Sequence, residues 1–350
     1  MGDRTEALRN RVRGAFETGT PLSIEGGGSK RFFGRRPAGE PLAIGDHRGI
    51  VNHEPSELVL TVRAGTPVGE TQAALAEHNQ WLPFDPPRHD PASTIGGVVA
   101  CALSGPTRPW TGAVRDFVLG TRIVNGRGDV LSFGGEVMKN VAGYDVSRLM
   151  AGALGTLGVL LEVSFKLLPR PARDRTRVFE MSAGDAILRL SGWARSPHPI
   201  LGAFHDGDRL HLRLGGSEPA VAEAAERLGG EAGDGAVWET LRDHRLPFFA
   251  DDGPPLWRLS VPAHVPPFDV PGSTVIDWGG AQRWVRSDAP ESVLRSTAAA
   301  AGGHAVCFRG GDRERPFHPL DEGIAGLHAR LKAAFDPGRI LNPGRLYDGL

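Results

Sequence analysis

The sequence predicts a two-domain α+β protein, and three observations predict it. Its 350 residues are enough for two units with a real core each. The first half sets short apolar strands between glycine-rich runs, the densest at residues 152–158 and 90–112. After Pro171 the character changes: short strands alternate with alanine-rich helices, the pattern of an antiparallel sheet backed by helices.

Taken in order, residues 6–17 predict a helix, with Leu8, Val12 and Phe16 at i, i+4 spacing. Residues 22–25 predict a strand that runs into Gly26, Gly27, Gly28, Ser29 and Lys30. A Walker A loop needs Gly-Lys-Ser/Thr, and here the order is Gly-Ser-Lys. What remains is a loop whose N–H groups can form an anion-binding nest beside a cation, or a plain surface turn. Residues 58–62 predict a strand. Thr66 has the character of a helix N-cap with Pro67 at the first helical position, opening a helix to about Asn79. The prolines of residues 83–87 exclude helix. Ser93, Thr94, Gly96 and Gly97 follow, then an apolar run over residues 98–103. Residues 118–124 and 130–133 predict strands joined through Asn125-Gly126-Arg127-Gly128-Asp129, a hairpin signal.

Residues 145–150 predict a helical turn, and residues 159–168 a mostly buried strand. Between them lies GALGTLG, residues 152–158. A dinucleotide fingerprint of the Rossmann type needs a strand before its glycines and a helix after them. Here the order is reversed, which argues against an NAD site. Glycine at this density still permits positive φ and close approach of the backbone to a ligand.

Composition removes several functional classes. A formal net charge of −1 gives no electrostatic case for nucleic acid or an anionic membrane. Glycine, 48 of 350 residues, is roughly double its usual share. Two cysteines, Cys101 and Cys307, cannot supply a disulfide framework or an all-cysteine iron–sulfur site within this chain. No apolar run approaches the roughly 18 residues of a membrane span, and no signal peptide is visible, so a cytoplasmic protein is expected. No Gly-x-Ser-x-Gly elbow and no His-Glu-x-x-His occurs, leaving hydrolase and zinc-protease readings without a motif.

Several pieces, in this order, resemble the FAD-binding domain of the vanillyl-alcohol oxidase and p-cresol methylhydroxylase (PCMH) superfamily. They are GGGSK, STIGG, GAVRDFVLG, MKNVAGYD and GALGTLGVLLEVSFKLLPRP. The terminal FDPGRILNPGRL is similar to the oxidase-type C-terminal domain of that superfamily. GPTRPW together with MKNVAGYD resembles, more narrowly, the FAD-binding subunits of bacterial glycolate oxidases, which are glycolate dehydrogenase complexes.

The resemblance implies a PCMH-type, two-subdomain FAD-binding domain over residues 1–170. An α+β cap over residues 171–350 would follow, its C-terminal tail returning to the FAD site. Gly26, Gly27, Gly28, Ser29 and Lys30 would hold the pyrophosphate. Ser93, Thr94, Gly96 and Gly97 would line the other side of the dinucleotide. Gly152, Gly155, Thr156, Gly158 and Val159 would approach the adenine and ribose. Asn342, in LNPG, would come back towards the cofactor, where the residues alone read as a turn.

Covalent relatives attach FAD through a His at the first loop or a Cys near the second. The first loop here has no His, and Cys101 has apolar neighbours, so non-covalent FAD is expected. The metal motif of related 2-hydroxy-acid dehydrogenases has its nearest counterpart in Phe204-His205-Asp206-Gly207-Asp208, which reads as a hairpin turn. No metal site and no catalytic residue is assigned.

Trp278, Arg283, Trp284 and Arg286 surround Gly279-Gly280. They suit a substrate-facing patch, a subunit interface, or an edge strand with solvated arginines. Arginines suited to gripping a carboxylate include Arg108, Arg115 and Arg283.

The implied function is oxidation of glycolate to glyoxylate within a complex. The implied partners are a second FAD-linked oxidase subunit and an iron–sulfur subunit, and any association with the inner face of the membrane would be made through them. The alternatives are a non-catalytic FAD-binding subunit and a self-sufficient FAD-dependent oxidoreductase of another 2-hydroxy acid.

Overall fold

The computed structural model describes residues 2–135, 145–250 and 252–350; most of MKNVAGYD (residues 138–144) lies outside them. The chain divides into two compact units. The first comprises Met1–Leu103, Ala113–Pro169 and Pro319–Leu350. The second comprises Ser104–Gly112 and Arg170–His318. Against the boundary expected at residue 170, GPTRPW is counted with the second unit and the C-terminal segment with the first.

Among the described residues the first unit has nine strands: β1 (Leu22–Glu25), β2 (Glu40–Ala43), β3 (Ile50–Glu54), β4 (Val59–Arg63), β5 (Gln80–Trp81), β6 (Val118–Val124), β7 (Val130–Gly134), β8 (Val159–Lys166) and β9 (Leu168–Pro169). β1 and β2 form a parallel pair. Five strands form an antiparallel sheet in the order β3-β4-β8-β6-β7. The expected hairpin closes as β6–β7, with the Asn125 side chain accepting from the N–H groups of Arg127 and Asp129. β8 lies at the sheet's centre, Val163 opposite Val62 on one side and Thr121 on the other. Consecutive residues of β8, Val159, Leu160 and Leu161, are buried, so both of its faces are covered, which explains its largely apolar sequence.

Helix Thr5–Thr18 buries Leu8, Val12 and Ala15 in the core of this unit. Phe16, expected on the buried stripe, is 37% exposed. Helix Val68–Glu77 begins one residue later than expected, with Pro67 at the N-cap. Thr66 does not cap it: its hydroxyl accepts from the Gly49 N–H at 2.8 Å. The apolar run after STIGG is helical, Ile95–Cys101, capped by Thr94, whose Oγ1 accepts from the Gly97 N–H.

The second unit is an eight-stranded sheet of β10 (Arg173–Glu180), β11 (Ile200–His205), β12 (Arg209–Gly216), β13 (Glu231–Gly233), β14 (Leu256–Ser260), β15 (Ser273–Asp277), β16 (Gln282–Arg286) and β17 (His304–Arg309). The order is β13-β10-β12-β11-β15-β16-β14-β17. Each recorded pairing is antiparallel. Helices Ala183–Trp193 and Glu218–Leu228 bury Ala186, Leu190, Val221 and Ala224 against Leu210, Leu212 and Leu214. Helix Glu291–Ala300 packs Leu294 and Ala298 over Trp257 and Leu259. The two units are thus α+β in class, as expected.

Candidate functional site

Within the first unit, the tertiary fold gathers the three glycine segments and the C-terminal tail at the ends of β1. Gly26 and Gly27 lie so close to the second segment that a Cβ on Gly26 would sit 2.5 Å from Thr94 Oγ1. A Cβ on Gly27 would sit 1.5 Å from the Ala92 carbonyl oxygen. The Ser93 hydroxyl donates to Ser29 Oγ at 2.8 Å, and the Lys30 ammonium reaches Ser29 and Ser93 at 3.3 and 3.4 Å. Lys30, Ser93 and Thr94 are all buried. Gly96 fits beneath the Ala64 carbonyl, which accepts its N–H at 2.7 Å.

The third segment docks on the second through backbone bonds, Gly152 N–H to the Val99 carbonyl and Leu154 N–H to the Ala100 carbonyl. Gly152 and Gly155 take φ of 88° and 73°, values that favour glycine. Gly158 lies against Ile123, and Val159 is buried in the apolar core. The Thr156 hydroxyl donates to the Ala153 carbonyl at 2.7 Å.

Asn342 joins these parts. Its Oδ1 accepts from the Ile24 N–H at 2.7 Å, and its Nδ2 donates to the Leu154 carbonyl at 2.6 Å. Its own N–H donates to the Leu22 carbonyl. The side chain therefore fastens β1 to the third glycine segment. Arg345 continues the attachment, donating to the carbonyls of Arg35 and Lys30.

Chemically, this assembly presents an anion site made of backbone. Among the described residues, no protein acceptor takes the N–H groups of Gly26, Gly27, Gly28 or Ser29. Successive unengaged amides beside a buried lysine suit a phosphate group. The residues present therefore fit the pyrophosphate of a dinucleotide. Cys101 gives no sign of a reactive thiolate, because burial pushes its thiol above the ordinary cysteine range.

In the second unit the tryptophan–arginine cluster does not form the edge strand with solvated arginines that was one of its three alternatives. β16 is an inner strand, and Arg283, Trp284 and Arg286 are buried in it. Arg283 donates to the carbonyls of Gly280 and Val265 at 2.7 and 2.6 Å, and desolvation lowers its pKa to about 10. Arg286 donates to the carbonyls of Phe248, Pro254 and Ala250. These arginines brace loops. Arg108 of GPTRPW lies 4.3 Å over the Trp278 ring, whose Nε1 donates to the Gly105 carbonyl. Arg115 is exposed and lies near Asp116.

The HDGD segment is the β11–β12 turn. There the Asp206 carboxylate meets His211 Nε2 at 2.7 Å, and the His211 ring stacks on Phe204. Among the described residues no group of three His, Cys, Asp or Glu side chains could hold a metal ion.

Comparison with known proteins sets this geometry in a family. An FAD binding domain family matches residues 3–134. Glycolate oxidase subunit GlcE of Escherichia coli (strain K12) is 48% identical over 345 residues, covering 99% of this chain and 98% of that protein. The chain belongs to the GlcE family. As a GlcE-type chain it is an FAD-linked oxidoreductase subunit. Glycolate oxidase subunit GlcD of Bacillus subtilis (strain 168) is 32% identical over 158 residues, 45% of this chain and 33% of that one. The solved structure of alkyldihydroxyacetonephosphate synthase shares the fold at a TM-score of 0.68 and 15% identity, over 97% of this chain and 75% of that one.

Sequence reasoning missed several residues of this candidate site. Ala92 supplies the carbonyl that demands glycine at position 27. Asp85 and His89 adopt φ of 49° and 45° in the proline-rich segment before it, and non-glycine residues rarely do so. Lys332 and Asp336 stand four residues apart on and just after helix Glu322–Phe335, a spacing that ordinarily marks a solvated pair. Both are buried.

Proposed function

We propose that this chain is the FAD-binding subunit of a glycolate-oxidising complex that forms glyoxylate. The carrying observation is the 48% identity to a glycolate oxidase subunit over nearly the whole of both chains. In this reading the amides of Gly26, Gly27, Gly28 and Ser29 bind the pyrophosphate, with Lys30 adding charge. Ser93, Thr94, Gly96 and Gly97 line the opposite side of the dinucleotide. Gly152, Gly155, Thr156, Gly158 and Val159 close the adenine and ribose end through their backbone, and Asn342 keeps that end in register with β1.

Bound FAD supplies the two-electron oxidation; the chain supplies position, polarity and exclusion of water. Non-covalent attachment is supported by the half-buried, weakly acidic Cys101 thiol and the lack of a histidine in the first loop. The partners proposed are a GlcD-type FAD-linked subunit and an iron–sulfur subunit. The proposed location is cytoplasmic, with any membrane contact made through those partners. Among the described residues no helix is long and apolar enough to cross a membrane.

The test compares the flavin-replete single chain with the chain co-purified with both partners, by glycolate-dependent dye reduction. Activity is expected only in the complex, and acid precipitation should release the flavin intact. Comparable turnover by the single chain would make it a self-sufficient enzyme. Flavin retained on a peptide would overturn the non-covalent assignment.

A further inference from the structure

At the end of helix Glu322–Phe335 the first unit buries two opposite charges. Lys332 Nζ lies 2.7 Å from Asp336 Oδ2, with 1% and 0% of the two side chains exposed. Burying such a pair costs desolvation, and an ion pair of this kind is weak evidence for stability by itself. What the two charges hold is specific. The Lys332 ammonium donates to the Thr156 carbonyl at 2.8 Å and to the Leu341 carbonyl at 2.7 Å. The Asp336 carboxylate accepts from the N–H groups of Ile340 at 3.1 Å and Leu341 at 2.8 Å.

Thr156 belongs to the third glycine segment. Leu341 bridges Leu22, the first residue of β1, and precedes Asn342. One ammonium thus ties the glycine segment to the tail, and one carboxylate fixes the turn that delivers the tail to β1. A hydrophobic pair of the same volume would fill the space without engaging four backbone groups.

We propose that Lys332 and Asp336 are positioning residues for FAD, setting the spacing between the third glycine segment and the tail and so the shape of the cradle around β1. The proposal rests on the FAD assignment above. Neither residue need touch the cofactor. They act through Thr156, Ile340 and Leu341, and through Asn342, whose amide spans the same two segments.

The test uses the full chain carrying Lys332→Met with Asp336→Asn, which removes both charges and keeps the side-chain volumes. Peptide-resolved hydrogen exchange is measured on the apo chain, FAD affinity by fluorescence titration, and visible circular dichroism of the flavin at saturation. Exchange should rise at residues 153–157 and 340–342 and stay unchanged in the second unit. FAD should bind about tenfold to a hundredfold more weakly, the scale expected from loosening two charge-assisted hydrogen bonds behind the site. The flavin dichroism should change even when every site is filled, which a pair serving only overall stability would not cause.

If the double change does not fold, Lys332→Gln, which keeps an N–H donor, is measured in its place. An affinity within about twofold of wild type, about 0.4 kcal/mol, with unchanged flavin dichroism overturns the proposal. Wild type binding FAD while the variant binds equally well defeats this proposal alone. A wild-type chain that takes up no FAD defeats the FAD assignment and this proposal together.

Discussion

Replacing Gly155 with alanine should cost far more than its size suggests. Gly155 sits at φ 73°, and its added Cβ would lie 2.7 Å from Asn342 Nδ2 and 3.3 Å from Ile24 Cδ1. The left-handed backbone alone penalises alanine by about 1–2 kcal/mol. The collision adds a second charge to that account, because the Asn342 amide has no free direction. One end is held by the Leu154 carbonyl and the other by the Ile24 N–H. Moving it breaks one or both buried bonds, at about 1–3 kcal/mol for each group left unsatisfied.

With one group left unsatisfied the sum is on the order of 2–5 kcal/mol for Gly155→Ala. Gly19→Ala is the control: its φ is 67°, but nothing lies within 4 Å of the added Cβ. It should cost only the backbone share, about 1–2 kcal/mol. Melting of the apo chain by circular dichroism reads the difference. At about 2–4 °C per kcal/mol for a unit of this size, Gly155→Ala should melt roughly 2–12 °C below Gly19→Ala, the share of the broken bond at about 1–3 kcal/mol. In an Asn342→Ala background the excess should vanish, since the obstructing amide is gone. Equal melting of the two glycine variants, or an excess that survives Asn342→Ala, would refute the steric account.

Two further outcomes follow from the same unit. Gly27→Ala should abolish FAD binding, because its Cβ would sit 1.5 Å from the Ala92 carbonyl oxygen, while Gly45→Ala, with nothing within 4 Å, should leave it intact; full flavin occupancy in Gly27→Ala would contradict the loop contact. His47 should make the unit acid-sensitive. Its pKa is lowered below 6.5 by desolvation, with Arg63 assisting and Asp3 opposing, and its Nδ1 accepts from the Arg4 N–H at 2.9 Å. The folded chain then binds fewer protons than the unfolded chain between the lowered value and 6.5. Stability is full above that window and falls as pH drops through it, by up to about 1.4 kcal/mol per pH unit. Denaturation at pH 7.5 and 5.5 should show this slope in wild type and a flatter one in His47→Gln; equal slopes would count against His47.

The β6–β7 hairpin and β8 were legible because local signals and tertiary demands coincide there. Asn125 both terminates the strand and supplies the turn's hydrogen bonds, and the run from Val159 is apolar on both faces because consecutive residues, Val159, Leu160 and Leu161, are all buried. Helix Ile95–Cys101 was not legible. It carries two glycines in its first turn and two valines, all poor helix formers, and burial of Ile95, Val98 and Val99 overrides them. β10 was not legible either: five of the eight residues in RDRTRVFE are charged, yet it pairs along its whole length with β12. The candidate site was legible as glycine segments, through the resemblance. Its fastenings were not: Asn342 in a turn and Lys332 beside Asp336 both resemble solvent-exposed features until the fold brings residues more than 170 positions apart into contact.

Those fastenings change what the glycines of this chain mean. A glycine-rich segment suggests direct approach of backbone to ligand, and here several of the glycines are also required by neighbouring protein atoms. Gly26 and Gly27 meet Thr94 and Ala92, Gly96 meets Ala64, Gly155 meets Asn342, and Gly158 meets Ile123. Side chains at those positions would hold the three segments apart. Close packing of the segments engages the backbone of the second and third with each other, while among the described residues the amides of Gly26, Gly27, Gly28 and Ser29 meet no protein acceptor. The anion site is therefore a product of tertiary packing rather than of one loop's own conformation. It follows that substitutions with no ligand contact, at Ala92, Ile24 or Lys332, should lower flavin affinity as surely as substitutions in GGGS itself.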